Sequence, residues 1–432
     1  MHKFTARIVL AGTASVMALG MAGAAHAQAF YLQEQSVRAQ GRAFSGEAAD
    51  TGVDSLWWNP AAIGGLEGGQ ASIHASAILP RGKVVDDGTL IKRPGQAATS
   101  VGGNAVAKNP IDNGVLPSGA VAYGFGKVAF GLTVTSPYSF TTNYDSDSWA
   151  RYSADKTKLR TIDIQPSVAF QPMEGLYVGA ALNVEHVSAT LGNYLPNLSP
   201  LLADGHQQLK GSGWDLGWSV GAQYHNGPAS IGVAYKSAVK HKLDGSLTID
   251  GLLGPLAGNN MSLDTTAEFS TPWQAIMSAR VKATKQLTLN AQVVAYGWSK
   301  FDTIDLGSPL NSSIPENYKD GFSYAFGLDY DVSPKWTVRG GIQYGETPTQ
   351  DGDRDARVPD SNRWNFSAGT TYNMSSKIAI DAAASYIAFK DASIDRVTAA
   401  YVGTAAQTPV LTNGSLQDAY AMVFSLGARV SF

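Results

Sequence analysis

The 432-residue sequence contains no cysteine, which excludes both a disulfide framework and a thiolate metal site. Charged side chains make up only 16% of the chain, whereas soluble globular proteins have about 25%. The formal net charge is -3, and no basic run with interleaved aromatic residues is present, so we expect no nucleic-acid partner. No nucleotide-binding loop is present either, and we expect no cofactor and no resident metal ion.

Long apolar runs are also scarce, and the one that stands out is N-terminal. Lys3 and Arg7 precede an apolar run from Ile8 to about residue 24, and a small-x-small site follows at 25–27. This order predicts a signal peptide over residues 1–27 and a mature chain that starts near Gln28. A retained membrane helix is the alternative, but it needs about 20 apolar residues and usually lacks such a site.

The C-terminal stretch shows a strict period of two. Its apolar face is formed by Tyr420, Met422, Phe424, Leu426, Ala428, Val430 and Phe432. The residues between them are small or polar apart from Ala421 and Val423, as expected when one side of a strand faces lipid and the other a lumen. An exported chain without a further membrane helix can sit in a bilayer only as a closed barrel. We therefore expect the outer membrane of a Gram-negative bacterium.

Similar alternation recurs along the chain as hairpins. Residues 218–224 alternate, Asn226-Gly227-Pro228 provides a turn, and alternation resumes at Ile231. Short turns alternate with long polar connections, as expected of periplasmic turns and extracellular loops. We count about 14 strands and predict an all-β fold: a transmembrane antiparallel β-barrel over residues 71–432.

The segment before the first strand, residues 28–70, shows little strand alternation. Its aromatic and small residues suit a compact plug inside the barrel, here called the hatch. Residues 41–49 read GRAFSGEAA, and NPA follows at 59–61. These motifs resemble the N-terminal hatch of the FadL-type transporters of long-chain fatty acids and hydrocarbons.

The resemblance extends to the C-terminus through motifs in family order. They are Gly213-x-x-x-Gly217-Trp218, Tyr235-Lys236-Ser237, Trp298-Ser299-x-Phe301, Tyr318-Lys319-Asp320, Trp336-x-x-Arg339-x-Gly341, Thr347-Pro348 and Pro359-Asp360-x-x-Arg363-Trp364. The resemblance implies passive transport of hydrophobic compounds across the outer membrane. It also implies a movable hatch, in which Phe30 and the turn Asn59, Pro60 and Ala61 are the residues that we expect to shift.

Pro137 falls inside the predicted third strand. Proline removes a donor from the hydrogen-bond ladder, so the strand should contain a bulge or a gap toward one neighbour. By resemblance, Ser136, Pro137, Tyr138, Ser139 and Phe140 occupy the place of a kink that opens the lumen sideways into the membrane. Ser139 stands where some members carry glycine. The alternative is a strand-end proline beside an extracellular loop.

Two predicted extracellular loops are unusually apolar. Such exposure commonly marks a binding surface, and the resemblance implies a ligand-capture groove between these loops. In the alternative interpretation, each loop packs on the other as a lid. The groove candidates are Leu191, Tyr194, Leu195, Leu198, Leu201, Leu202, Leu252, Leu253 and Leu256.

A fatty-acid carboxylate entering an apolar lumen needs a cationic or hydrogen-bonding partner. Lys319, Arg339 and Lys236 are the candidates on the lumen side, and Lys319 falls on the family's Lys-Asp motif. These cations have an equally good structural interpretation as partners of nearby aspartates. The first apolar loop has no arginine or lysine before Lys210, so a neutral hydrocarbon is an alternative ligand.

We therefore predict passive transport of hydrophobic compounds, with long-chain fatty acids as the first candidate ligand and neutral hydrocarbons as the second. A structural or adhesive barrel is a further alternative. Gly217-Trp218-Ser219-Val220-Gly221 matches the G-x-S-x-G of hydrolases, but it lies in strand alternation instead of a strand-to-helix turn, so we expect no enzyme. Expected partners are the hydrophobic ligand, outer-membrane lipid and lipopolysaccharide, and the outer-membrane assembly machinery through the C-terminal strand.

Overall fold

A computed structural model describes residues 29–432; the predicted signal peptide lies outside the described residues. The wall of the molecule consists of 14 strands, some of them in two pieces. In chain order they are Gly68–Asp86; Gly114–Phe125; Val128–Thr135 with Ser139–Asn143; Lys156–Met173; Leu176–Leu195; Gly205–Asn226; Ala229–Lys236 with Val239–Asp250; Met261–Thr271 with Trp273–Lys282; Leu287–Gly297; Gly321–Ser333; Trp336–Gly345; Arg363–Asn373; Ile378–Phe389; and Gly414–Ser431.

The strands close into one antiparallel barrel. The first wall strand pairs with the last from Gln70↔Ser431 to Asp86↔Gly414, and sequential neighbours pair along the rest of the wall. Pairing of the first strand with the last removes the two edges that an open sheet would turn toward lipid. The predicted all-β barrel of about 14 strands is confirmed.

Apolar side chains cover the outer surface of the barrel. On the last strand, Phe424 is 51% and Leu426 66% exposed, whereas the alternate residues Val423 and Ser425 are buried. This is the arrangement that the period of two predicts for a lipid-facing strand. Among residues 29–432, no helix has the length and apolar character needed to cross a membrane.

The hatch lies inside the barrel. It contains one short helix, Val37–Gly41, whose N-cap Ser36 accepts a hydrogen bond from the Ala39 amide, and the 3₁₀ turns Glu47–Ala49, Val53–Ser55 and Pro60–Ile63. Glycines on the wall strands allow the hatch backbone to approach closely: a Cβ at Gly232 would lie 1.8 Å from the Ala48 carbonyl oxygen. The wall sequence is thus shaped to hold this segment.

Buried ion pairs attach the hatch to the wall. The Arg42 side chain is fully buried and contacts Glu47 at 2.7 Å, Asp50 at 2.6 Å and Asp329 of the tenth wall strand at 3.3 Å. Arg339 also pairs with Asp329, at 2.6 Å. Because buried charges are costly unless paired, this network places the hatch in one position.

The long loops carry the remaining elements at the extracellular end. Four short strands form a separate sheet, and two 3₁₀ turns, Gly254–Asn259 and Trp298–Lys300, lie in other loops. The short strands of that sheet are Leu90–Ile91, Thr99–Ser100, Val397–Ala400 and Thr408–Leu411; the others in the loops are Val106–Lys108, Thr303–Leu306, Ser312–Pro315 and Ala392–Ile394.

Candidate functional site

An apolar cavity lies between the hatch and the extracellular loops. The enclosed volume is about 70 Å³, and the empty space counted together with the adjoining open solvent is about 790 Å³. Its apolar wall includes Phe30, Phe140, Leu159, Ala189, Leu191, Leu209, Leu243, Ala267, Phe269, Phe301, Ile304, Tyr318 and Val358. Residues separated by more than 300 positions thus meet at one site.

Phe30 of the hatch closes one side of the cavity. Its ring centroid lies 5.0 Å from that of Trp298, 5.2 Å from Phe301 and 5.8 Å from Phe140. The 3₁₀ turn Trp298–Lys300 ends the ninth wall strand and places Trp298 and Phe301 inside. The aromatic contacts hold Phe30 in place without a covalent or ionic bond, so this contact can be broken by a ligand of comparable apolar surface.

Arg357 stands out among the polar residues that line the cavity. The guanidinium donates to the Gly192 carbonyl at 3.2 Å and the Asn193 side-chain oxygen at 3.1 Å, and lies 3.5 Å from the Thr157 hydroxyl. Within residues 29–432 it makes no ion pair within 4 Å. An arginine that lines a largely apolar cavity and whose guanidinium forms no ion pair suits a ligand that carries its own anionic group.

The acidic side chains near Arg357 are held by other groups. Arg396 lies 3.0 Å from Asp355 and 3.7 Å from Glu316. Burial raises the pKa of Glu316 to about 7. The positive charge of Arg396 lowers this pKa, but by less than burial raises it. Burial likewise holds the pKa of Tyr318 well above its usual range. Near neutral pH, Glu316 is therefore only partly charged, which reduces its repulsion of an anionic ligand.

The barrel wall is interrupted beside Pro137. Pairing between the second and third wall strands stops at Gly119↔Val134, and beyond it residues 114–118 pair only with the first strand. The outer piece of the third strand, Ser139–Asn143, pairs with the fourth strand and, through an isolated bridge at Thr142, with Ile111, but not with the second wall strand. A space of about 780 Å³, part of it open to the surroundings, lies here and is lined by residues that include Pro117, Ser118 and Val134.

The start of the hatch binds this kink through hydrogen bonds. The Ser139 amide donates to the Phe30 carbonyl at 3.1 Å, and the Leu32 amide donates to the Pro137 carbonyl at 2.7 Å. The Gln35 side chain donates to the Ser136 carbonyl at 3.0 Å. Residues 30–35 therefore provide partners for backbone groups that a continuous ladder would otherwise satisfy. The segment that closes the cavity is also the segment that holds the kink.

The nine predicted groove residues are divided among four environments. Leu191 lines the cavity, and Tyr194 packs beside a small cluster around Tyr152. Leu195, Leu252 and Leu256 are buried against one another, with Leu198 packed beside them. The exposed members are Leu201 at 93%, Leu202 at 40% and Leu253 at 44%. The two loops thus contact each other, and ligand capture by them stays a prediction.

The three predicted carboxylate partners lie outside the cavity lining. Lys319 is exposed, and its backbone amide donates a hydrogen bond to the Pro348 carbonyl at 3.0 Å. Arg339 pairs with Asp329, and the Lys236 ammonium lies 3.7 Å from the centre of the Trp57 ring. A contact between these cations and a ligand stays a prediction.

The predicted hatch turn is held firmly. The Asn59 side chain accepts from the Ala61 amide at 2.9 Å and donates to the Ala48 carbonyl at 2.7 Å, and Pro60 and Ala61 are buried. Ser219, the serine of the hydrolase-like motif, is buried and donates to the Asn183 side chain at 2.6 Å. Its position inside a wall strand differs from the strand-to-helix turn that the motif requires.

Arg357 and most of the cavity wall were not among the predicted binding residues. Phe301 and Tyr318 lie in the motifs Trp298-Ser299-x-Phe301 and Tyr318-Lys319-Asp320, so a signal for them was present. Arg357 follows an acidic loop, Asp351 to Asp355. From the sequence alone, its positive charge is interpreted as neutralising part of the negative charge of this loop. Its environment depends on strands far away in the chain.

Comparisons with known proteins place the chain among outer membrane transport proteins. A family model described as "Outer membrane protein transport protein (OMPP1/FadL/TodX)" matches residues 18–432. The "Long-chain fatty acid transport protein" of Escherichia coli O6:H1 is 26% identical over 401 residues, with 83% of this chain and 86% of that protein covered.

Solved structures show the same fold. The crystal structure of a Pseudomonas aeruginosa FadL homologue has a TM-score of 0.82 at 24% identity and covers 94% of this chain and 100% of that one. The structure of the Ralstonia pickettii toluene transporter TbuX has a TM-score of 0.63 at 20% identity and covers 92% and 98%. These two similarities concern the fold.

Proposed function

Because the chain belongs to the OMPP1/FadL/TodX family of outer membrane transport proteins, we propose that it carries long-chain fatty acids passively through the apolar cavity described above. The coarser statement is established by the family: the protein is an outer-membrane transporter of hydrophobic compounds and not an enzyme. The choice of fatty acid, the route and the residues are the proposal.

The observation that carries this choice is Arg357 at the edge of an apolar cavity. Each buried methylene contributes about 0.8 kcal/mol, so a long alkyl chain gains on the order of 10 kcal/mol before the cost of ordering is subtracted. An apolar wall alone would accept any hydrocarbon. The guanidinium adds a preference for a terminal carboxylate, and the named function of the E. coli relative agrees with it.

The route that we propose leads from the cavity past Phe30 to the wall gap. A ligand that binds this strongly would remain trapped unless part of the site can move. Residues 30–35 are the candidate, because they line the cavity through Phe30 and bind the kink through Leu32 and Gln35. Their displacement would open the cavity and release the kink in one movement. Flow down a concentration gradient then suffices, without a nucleotide.

The test is uptake of labelled oleate and labelled toluene by cells that lack their own transporter of this type. Oleate uptake should exceed the empty-vector control, and Arg357→Gln should lower it about tenfold, which corresponds to loss of a charge-assisted hydrogen bond worth about 1.4 kcal/mol. Lys319→Gln is the matched control, since it removes one cation outside the cavity. Toluene uptake should be equal in both variants.

Three outcomes would contradict the proposal. If Arg357→Gln leaves oleate uptake unchanged while Lys319→Gln lowers it, the carboxylate site lies at Lys319. If the wild type takes up toluene but no oleate, a neutral hydrocarbon transporter is the better function, which the largely apolar cavity wall also fits. Uptake of neither compound by a folded barrel would favour a structural or adhesive role.

Pro137→Val provides a separate test of the wall gap. Valine restores an N–H donor and favours regular strand, so the gap beside residues 114–118 should narrow and oleate uptake should fall at least about threefold. Pro166→Val is the matched control, because Pro166 lies on the outer face of the neighbouring fourth strand, away from the gap. Heat-modifiable electrophoresis shows that both barrels fold. Equal uptake by the two variants would count against lateral exit at this kink.

A further inference from the structure

The outer face of the fourth wall strand changes from apolar to cationic between Ile162 and Arg160. Every second residue from Phe170 to Ile162 is apolar, and the next three outward positions are Arg160, Lys158 and Lys156. The alternate residues between them, including Leu159 and Thr161, are buried inside the barrel. The three cations therefore lie side by side on the outer surface.

Their height matches the edge of the membrane. The extracellular loop 144–155 precedes Lys156, and the short turn after Met173 lies at the opposite end. Eight residues from Phe170 to Ile162 span about 26 Å along the strand, which a tilt of about 40° reduces to roughly 20 Å across the membrane, close to the apolar band of about 25 Å. The first of these cations thus lies at the boundary between the hydrocarbon core and the headgroups of the outer leaflet.

Neighbouring strands extend this patch with hydroxyl groups and a fourth cation. Lys158 lies opposite Thr190, which lies opposite Lys210, and one row nearer the membrane Ser188 lies between Arg160 and Ser212. The next residue toward the membrane on the sixth strand's outer face is Trp214, which is 58% exposed. A tryptophan at this level is typical of the membrane interface, and it supports the assigned height.

The cations of the patch have no acidic partner within the part of the chain that the structure describes. Neither Lys156, Lys158, Arg160 nor Lys210 forms an ion pair, and the Arg160 Nε atom is buried without a hydrogen-bond partner. The nearby Asp155 is bound to His206 at 2.8 Å. By contrast, the outward Lys240 of the seventh strand pairs with Glu268 at 2.7 Å. Like charges left together on a surface attract a multivalent anion.

We propose that this phosphate patch, formed by Lys156, Lys158, Arg160 and Lys210 with the hydroxyls of Ser188, Thr190 and Ser212, binds the phosphate groups of lipopolysaccharide in the outer leaflet. Phosphate accepts charge-assisted hydrogen bonds from arginine and lysine. The lipid's acyl chains lie beside the apolar face from Ile162 to Phe170. The patch orients the barrel at the membrane surface next to the wall strand that carries the kink.

The experiment compares two lipids and two triple variants of the full-length detergent-purified protein. Native mass spectrometry measures binding of bis-phosphorylated lipid A and of the same lipid without phosphates. The wild type should prefer the phosphorylated lipid at least tenfold, and Lys156→Gln/Arg160→Gln/Lys210→Gln should lose this preference. This variant keeps Lys158, because Lys158 also borders the cavity. The control Lys285→Gln/Lys335→Gln/Lys377→Gln removes the same charge from turns at the opposite end and should keep it.

Equal binding of the two lipids by the wild type would overturn the proposal, as would a patch variant with wild-type preference. Heat-modifiable electrophoresis identifies folded protein, and the single variant Arg160→Gln, with an expected loss of about threefold, serves if the triple variant does not fold. Oleate binding to the cavity, measured on the same samples, should be equal in all variants. A failure of this proposal is therefore distinguishable from a failure of the fatty-acid proposal.

Discussion

Ala189→Trp is expected to weaken oleate binding about 100-fold, because the indole occupies space where about four methylenes would be buried at about 0.8 kcal/mol each. Ala189 lies on the cavity wall between Leu159 and Gly211 of the two neighbouring strands. A fluorescent fatty acid displaced by oleate measures the dissociation constant on purified protein. Uptake by cells should fall with it.

Ala180→Trp is the matched control for this effect. It introduces the same side chain on the same strand, but Ala180 is exposed on the outer surface, where tryptophan can lie against lipid. Ala189→Leu should give an intermediate loss if volume is the cause. Wild-type binding by a folded Ala189→Trp barrel would show that this cavity is not the fatty-acid site, whatever the protein transports.

Arg42→Met is expected to lower the free energy that holds the hatch in the barrel by about 3–5 kcal/mol, the usual cost of removing one partner from a buried charge network. Glu47, Asp50 and Asp329 would each lose a contact to the fully buried guanidinium. Hydrogen exchange of the hatch segment, followed by mass spectrometry, should accelerate strongly. Exchange in the wall strands should change little, since the barrel ladder is intact.

Lys335→Met provides the control, because Lys335 is exposed in a short turn and its loss should alter stability by less than about 0.5 kcal/mol. The double variant Arg42→Met/Glu47→Gln should recover part of the lost free energy, because Glu47 is then no longer a buried charge without a partner. Hatch exchange at the wild-type rate in Arg42→Met would contradict the view that this network places the hatch.

The barrel and its family were predictable because their signals are local. A strand's lipid-facing side repeats every second residue, so Phe424 and Leu426 can be assigned without knowledge of any other strand. The hatch motifs are equally local, and the family model confirms the resemblance that they suggested. Pro137 also predicted a break in its strand, and in the structure the hydrogen-bond ladder is interrupted beside it.

For the apolar loops, the local sequence pattern does not predict which residues contact one another. Leucines at three- and four-residue spacing indicate a hydrophobic surface, but they do not indicate what covers it. In the structure, Leu195, Leu252 and Leu256 bury one another while Leu201 stays exposed. The same leucines could have lined a groove if the loops lay farther apart, because hydrophobic contact is non-directional and depends on the position of both partners.

By itself, the sequence therefore determined the kind of protein: lipid-facing strands with a period of two and membership of a transport family. Only the tertiary structure decided which cation faces the cavity and which lies outside it. Lys319 matched a motif yet is exposed, whereas Arg357 lines the cavity with Phe30 and Phe269. The reason is that strand alternation depends on neighbouring residues, whereas a cavity depends on barrel closure, which brings distant segments together.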